Sequence, residues 1–322
     1  MEKIREIPLA NLKPVAFIRD QVAAIADAVG TGIAVNALSG GVDSSVVTLL
    51  GYRALGQRLK TYFIENGIMR EGEAKRIAAL FRRLGVKVEI VDARKQFFSA
   101  LAGIDDPEEK REAITQTFYK TVFSPLVKRS GARFLLQGTN YTDVEETVAG
   151  VKRQHNILAQ LGIDTVKTFG YTVLEPIIQL RKTGVRKVAR ALDLPKEIWD
   201  RPPFPGPALA ARVIGPVTPE RIAIVRAATA IVEQELTSSG AFQYLAILHQ
   251  DRVTGMRGGR RAFGQQVEVR CWESTDAVTA TPTPLPFAKL ARLADRITSE
   301  VDGVVSVTYN VTKKPPSTIE AV

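Results

Sequence analysis

The stretch Ser39-Gly40-Gly41-Val42-Asp43-Ser44-Ser45 sets two glycines, three serines and one carboxylate between the apolar run GIAVNAL and the helically spaced run SSVVTLLGYRALG. A strand-to-helix turn of this kind aims unpaired backbone N–H groups and the positive end of a helix dipole at one point, and bare glycines let a ligand approach. Ser39, Gly40, Gly41, Ser44 and Ser45 together supply amide and hydroxyl donors, the parts of an anion cradle suited to phosphate. Asp43 would repel a bare phosphate. It makes chemical sense where Mg²⁺ sits between carboxylate and phosphate oxygens, since that ion takes a few carboxylates together with phosphates and water. The duller reading of the same residues is a tight turn capped by Ser or Asp. The spacing is not that of the GxxxxGK phosphate loop, and no GxGxxG follows the first apolar run, which argues against a dinucleotide cofactor.

The elements that must position this turn follow from hydrophobic periodicity. PVAFIRDQVAAIADAVG reads as a helix, GIAVNAL as a strand, and SSVVTLLGYRALG as a helix stopped at Gly56. LKTYFIENG and VKVEIVDA read as strands around the helix EGEAKRIAALFRRLG, and after a helical region near 107–129 comes the short strand ARFLLQGT. This βαβ series predicts an α/β fold, a doubly wound parallel sheet whose ligand crevice lies beyond the carboxyl ends of its strands. The polar ends SGGVDSS, IENG, VDA and QGTNYTD all fall there. The proline-rich stretch RPPFPGPALAARVIGPVTPE interrupts the series. It predicts a boundary between a first domain over 1–200 and a second, smaller α+β domain over 201–322.

Composition narrows the partners. A chain of 322 residues, 45% hydrophobic and 24% charged, has room for two domains. No run of about eighteen uncharged apolar residues occurs and the start has no apolar signal core, so a cytoplasmic protein is expected. The single cysteine, Cys271, excludes an internal disulfide and a thiolate cluster, and two histidines, His155 and His249, offer little to a metal. A net charge of +10 asks for an anionic partner. Phosphate-bearing small molecules and nucleic acid both satisfy it, but the basic residues are mixed with acids along helices and lack the aromatic interleaving of a single-strand binder.

SGGVDSS after a strand resembles the signature of the N-type ATP pyrophosphatases, which split ATP between its α and β phosphates. ENGIMREGEA, LAGIDDPEEKRE, LLQGTNYTDVEET, VKRQHN, LEPIIQLRKTGVRKVARALDLP, the proline stretch and VTYNVTKKPPSTIEAV follow in an order similar to the ATP pyrophosphatase part of GMP synthetase, over roughly residues 17–322. The resemblance implies adenylation of the 2-oxygen of xanthosine monophosphate with ATP and Mg²⁺, then displacement of AMP by ammonia from solution or from a separate glutaminase subunit. It implies a homodimer formed by the second domain. It further implies that Ser39, Gly40, Gly41, Asp43, Ser44 and Ser45 bind pyrophosphate, with Asp43 as metal ligand or base. Lys182 would contact phosphates, Lys152 would sit in a mobile lid, and Gly138 and Thr139 would line the nucleotide crevice near Asp143. Arg201, Pro205 and Gly206 of the proline stretch, with Lys314, Thr318, Ile319 and Glu320 of the tail, would meet the acceptor.

Several positions depart from the family pattern. VKRQHNILAQ stands for IKSHHNVGG, Ile178 for an arginine, Ala208 and Ala277 for glycines, Gly259 for an aspartate, and Asn310 for the aspartate of YDIT. These departures keep two other readings open: a paralogue that adenylates a different acceptor before amidation or sulfur transfer, and a catalytically silent nucleotide- or nucleic-acid-binding protein.

Overall fold

A computed structural model describes residues 4–148, 170–275 and 277–321. In chain order its helices and strands begin with α1 (Pro14–Val29), β1 (Ala34–Ala37), α2 (Val42–Leu55), β2 (Leu59–Glu65), α3 (Glu73–Arg83) and β3 (Val88–Asp92). Then come α4 (Arg94–Leu101), α5 (Pro107–Gln116), α6 (Ser124–Ser130), β4 (Phe134–Leu136), α7 (Tyr141–Val148) and β5 (Thr172–Leu174). The remainder comprises α8 (Lys182–Ala191), α9 (Lys196–Trp199), α10 (Pro219–Leu236), β6 (Gln243–Arg257), β7 (Arg260–Glu273), β8 (Thr281–Pro282), α11 (Phe287–Glu300) and β9 (Val304–Tyr309). Contacts divide the chain into one unit of Met1–Glu65, Glu73–Asp92 and Phe118–Arg201, and a second of Asn66–Gly72, Ala93–Thr117 and Pro202–Val322.

The first unit is the expected α/β layer structure. Its described strands form a parallel sheet in the order β3-β2-β1-β4-β5. The order reverses direction between β1 and β4, which opens a crevice at their carboxyl ends. Because β1 is central, Ala34 and Val35 are fully buried, and α2 is buried nearly all round through Val46, Val47, Leu49 and Leu50. A helix this apolar is specified by burial on several sides, not by an amphipathic stripe. By contrast α3 and α8 bury one face, through Ile77 and Phe81 and through Val185 and Val188, and leave Arg82, Arg83 and Arg190 exposed.

The second unit carries a mixed sheet. β6 and β7 pair antiparallel, with β8 antiparallel and β9 parallel to β7, and α10 and α11 accompany them. The hairpin turns at Gly258 and Gly259, whose φ values of 55° and 74° are the left-handed pair that a two-residue turn of matching twist requires. Helix α4 was not foreseen from periodicity. It belongs to this unit with α5, whose start is capped by Asp106 accepting from the Glu108 and Glu109 amides at 2.8 and 3.0 Å. From α5 the buried Lys110 ammonium donates to the carbonyls of Val213 and Gly215 at 3.0 and 2.6 Å, and burial lowers its pKa. Residues 66–72 are fixed by Arg226, which donates to the carbonyls of Gly67 and Met69 at 2.5 and 2.8 Å, and by the Leu209 amide donating to Ile68 at 2.9 Å.

Ala208 and Ala277, both at positions where the family pattern has glycine, keep positive φ values of 53° and 60°. Both positions thus carry a Cβ in a conformation that favours glycine. An L-residue there is strained by about 1–2 kcal/mol, against roughly 0.5–1 kcal/mol of extra chain entropy lost by glycine. Ala208→Gly is therefore expected to raise stability by about 0.5 kcal/mol, read as a higher denaturant midpoint, and a lower midpoint would contradict the strain.

Candidate functional site

The Ser39–Ser45 turn closes the carboxyl end of β1 and starts α2. Gly40 adopts φ +83°, which only glycine takes without strain, and a Cβ there would lie 3.0 Å from Glu73 Oε1 and from Ile77. Gly41 is the N-cap. Ser44 and Ser39 brace the turn from inside. The Ser44 hydroxyl donates to the Gly41 carbonyl at 3.0 Å and accepts the Ser39 amide at 3.2 Å, while the Gly41 amide donates to Ser39 Oγ at 3.3 Å. The amides of Val42, Asp43 and Ser44 open the helix and have no carbonyl within it to meet, so they form the donor end of the α2 dipole. Ser45 is fully buried beneath the turn, and its hydroxyl has no partner among the described residues.

Asp43 and Lys182, 139 positions apart, are brought together: the Lys182 ammonium donates to Asp43 Oδ2. Lys182 is held at the start of α8 by its neighbour Arg181. That guanidinium takes both oxygens of Glu145 at 2.6 and 2.7 Å and Glu6 at 2.9 Å, and these carboxylates push its pKa further up. A lysine at a helix N-terminus adds its charge to the positive dipole end, an arrangement that favours an anion. Asp43 Oδ1 is buried and has no hydrogen-bond partner among the described residues. A carboxylate oxygen left this way is what a cation would complete. No cluster of three or more metal-ligating side chains occurs among the described residues, so the remaining ligands of such a cation would come from phosphate and water.

Gly138 and Thr139 follow β4 and lie against the turn. A Cβ on Gly138 would meet the Asp43 carbonyl carbon and the Ser44 nitrogen at 3.2 Å, so glycine permits the close approach. Thr139 is fully buried and donates at 2.6 Å to Glu175 Oε1, a residue that sequence reasoning did not single out. Burial raises the Glu175 pKa, the Thr139 hydrogen bond opposes it, and the charge of Asp143 adds to it. Asp143 accepts the Asn140 amide at 3.0 Å at the start of α7. Lys152 lies outside the described residues.

Arg201 is occupied within the first unit. Its guanidinium takes both oxygens of the buried Glu73 at 2.5 and 2.8 Å, next to Gly40, and Arg76 also reaches both oxygens at 3.2 Å. In the second unit Pro205 accepts the Ala208 amide at 2.9 Å and Gly206 is exposed. Lys314 donates at 2.7 Å to the carbonyl of Ala277. The tail residues are anchored: Ile319 packs with Leu245, Ile247 and Trp272, and Glu320 takes Arg212 through both oxygens at 3.1 Å and Gln243 at 2.8 Å. Thr318 donates to the Glu320 carbonyl at 2.5 Å, and its own carbonyl accepts Arg270 at 2.7 Å. Arg212 was missed, although an arginine inside the apolar run ALAARVIG is a signal; its NH1 is buried with no acceptor among the described residues. Arg270 also donates to Glu268 at 2.5 Å, which takes His249 at 2.8 Å and Asn310 at 3.0 Å. Burial works to raise the Glu268 pKa, but these three hydrogen bonds and the Arg270 charge outweigh it and hold the group down at about 2. The amide of Asn310 supplies the donor where an aspartate would oppose Glu268.

Residues 12–206 match the NAD synthase family and residues 230–321 the GMP synthase C terminal domain family. One subunit of the glutamine-hydrolyzing GMP synthase of Archaeoglobus fulgidus is 45% identical over 304 residues, 94% of this chain and 98% of that protein. The corresponding subunit from Methanocella arvoryzae is 47% identical over 306 residues, 95% of this chain and 98% of that protein. A glutamine-hydrolyzing GMP synthase of Pyrobaculum aerophilum is 43% identical over 322 residues, 97% of this chain but 63% of that protein.

Removing one member of a buried ion pair leaves an uncompensated charge, so Glu73→Ala is expected to cost about 3 kcal/mol of stability in denaturant unfolding; a loss under about 1 kcal/mol would contradict the pairing. The depressed Glu268 pKa contributes stability that is complete above its ordinary 4.5 and is lost as pH falls toward about 2. Glu268→Gln should remove that acid-limb component from a stability-against-pH curve, and an unchanged acid limb would refute it.

Proposed function

The chain belongs to the GMP synthase family, and from that premise we propose how it converts xanthosine monophosphate, ATP and ammonia into GMP, AMP and pyrophosphate. The purine 2-oxygen attacks the α-phosphorus of ATP and the bond to the bridging oxygen breaks, releasing pyrophosphate. Ammonia then adds at C2, AMP departs with the former purine oxygen, and the extra protons pass to solvent. The observation that carries this reading is the Asp43–Lys182 pair at the mouth of the glycine turn. Negative charge accumulates on the departing pyrophosphate, and preorganised donors aimed at developing charge lower the barrier.

The amides opening α2 and the Ser39 hydroxyl would receive the pyrophosphate oxygens, with Lys182 turning from Asp43 to the phosphates. Asp43, through its unpartnered Oδ1, fits as a ligand for Mg²⁺. When bound, that ion would neutralise phosphate charge and polarise the α-phosphorus. Gly138 and Thr139 would flank the nucleotide. The acceptor's phosphate would be met by Lys314. Ile319 and Glu320 would then support the acceptor subsite by anchoring its backbone, with Pro205, Gly206 and Thr318 bordering it.

Relatives that are single subunits of a glutamine-hydrolyzing enzyme support a separate glutaminase subunit as the ammonia source. Apolar side chains exposed on the β6–β7 hairpin, Met256 and Phe263, support a homodimer through the second unit. No helix among the described residues is long and apolar enough to cross a membrane, and a cytoplasmic setting fits that reading.

Mixing the full chain with ATP, Mg²⁺ and xanthosine monophosphate should give GMP, AMP and pyrophosphate in equal amounts only when ammonium is present, at a turnover rate ordinary for enzymes. Asp43→Asn should lower that rate on the order of 100-fold. ATP binding with no pyrophosphate release from the parent protein would sink the assignment.

A further inference from the structure

The central strand β1 carries one polar residue in its interior, Asn36, and it is 1% exposed. Opposite it lie Thr61 on β2, paired with Asn36 in the sheet register, and Thr48 on α2, 2% and 0% exposed. Three hydrogen bonds run through them in one direction. The Thr61 hydroxyl donates to Asn36 Oδ1 at 2.8 Å, Asn36 Nδ2 donates to Thr48 Oγ1 at 2.6 Å, and the Thr48 hydroxyl donates to the Ser44 carbonyl at 2.7 Å. The chain of donors starts in the sheet and ends in the first turn of α2, on the residue that follows Asp43.

Each link is buried, and polar groups in a dry core are costly when unpaired and mutually reinforcing when paired in series. Apolar side chains of the same size would fill the space at no such risk, so bare packing does not account for three polar groups here. What the relay adds is direction. Leucine and valine on α2 let the helix slide or rotate by a fraction of an ångström at little cost, whereas hydrogen bonds with short distances fix its register against β1 and β2. The amides of Val42, Asp43 and Ser44 move with that register.

We propose that Thr61, Asn36 and Thr48 are positioning residues for the reaction: they set the depth and rotation of the α2 N-terminus so that its amides meet the pyrophosphate while the Asp43 carboxylate stands where a metal ion would bridge it to the phosphates. They touch no substrate. Their effect is carried through the Ser44 carbonyl, and the inference rests on the reading of the glycine turn as the pyrophosphate site. Misplacement of catalytic groups by about an ångström can cost a hundredfold in rate, so a partial slip of the helix should cost less.

The test uses the full chain with Thr48→Val, which keeps shape and deletes the hydroxyl, and Thr48→Ser, which keeps the hydroxyl. Binding of inorganic pyrophosphate with Mg²⁺ is measured by calorimetry, with KM values for ATP and ammonium and the melting temperature measured in parallel. Thr48→Val should weaken pyrophosphate binding and raise the ATP KM by about tenfold while leaving the ammonium KM within about twofold, and Thr48→Ser should restore both. Thr61→Val, which leaves the Thr48–Ser44 bond and frees the Asn36 carbonyl, should give a smaller loss and stays readable if Thr48→Val does not fold. A lower melting temperature with parental pyrophosphate binding and ATP KM in either valine variant would overturn the proposal. Failure of the parent to bind pyrophosphate or release it from ATP would instead strike the assigned function.

Discussion

The amides that begin α2 must stay unpaired and yet be held still inside a folded protein. Unpaired N–H groups are tolerated at a helix start only if something occupies them, water or ligand. They are held still by packing that leaves almost no room: Gly138 approaches the Asp43–Ser44 backbone so closely that a single Cβ would collide, and Gly40 takes a left-handed conformation against Glu73 and Ile77. The parallel sheet, the buried α2 and the ion pair of Glu73 with Arg201 all converge on that one requirement. An anion placed there would meet donors that need no rearrangement when it arrives.

Charge around the turn is balanced in the same local way. Lys182 stands at the start of α8 and neutralises Asp43, so the site holds a carboxylate without burying an isolated charge. The carboxylate's second oxygen is left over, buried and without a hydrogen-bond partner among the described residues. In the second unit the logic is anchoring. Arg212 and Arg270 fasten the tail through Glu320 and through backbone carbonyls, and Asn310 adds a donor to Glu268 where a second carboxylate would repel it.

The alternation of strands and helices and the turn itself were legible because each rests on local pattern; Asp43 and Lys182 were singled out separately, and their pairing appeared only in the structure. Other features were hidden for physical reasons. Glu73 and Arg201 are 128 positions apart, and a glutamate in an amphipathic helix reads as solvated until burial is seen. Asn36 looks like a flaw in an apolar strand, and Thr48 and Thr61 pass for β-branched filler, since periodicity weighs side chains singly and a relay exists only between them. Residues 66–72 and 93–117 lie in sequence among elements of the first unit but belong by contact to the second. The departures at Ala208 and Ala277 suggested a changed acceptor half, and both residues hold positive φ values that glycine would take without strain. Relatives matched over nearly the whole chain support the amination of xanthosine monophosphate over the alternative acceptors.

The most direct test of the account follows one oxygen atom. Xanthosine monophosphate labelled with ¹⁸O at its 2-oxygen is aminated by the full chain with ATP, Mg²⁺ and ammonium, and the products are weighed by mass spectrometry. The account predicts that the label leaves in the phosphate of AMP, because the purine oxygen was joined to the α-phosphorus when pyrophosphate departed. Label recovered in water, pyrophosphate or inorganic phosphate, with unlabelled AMP, would contradict it.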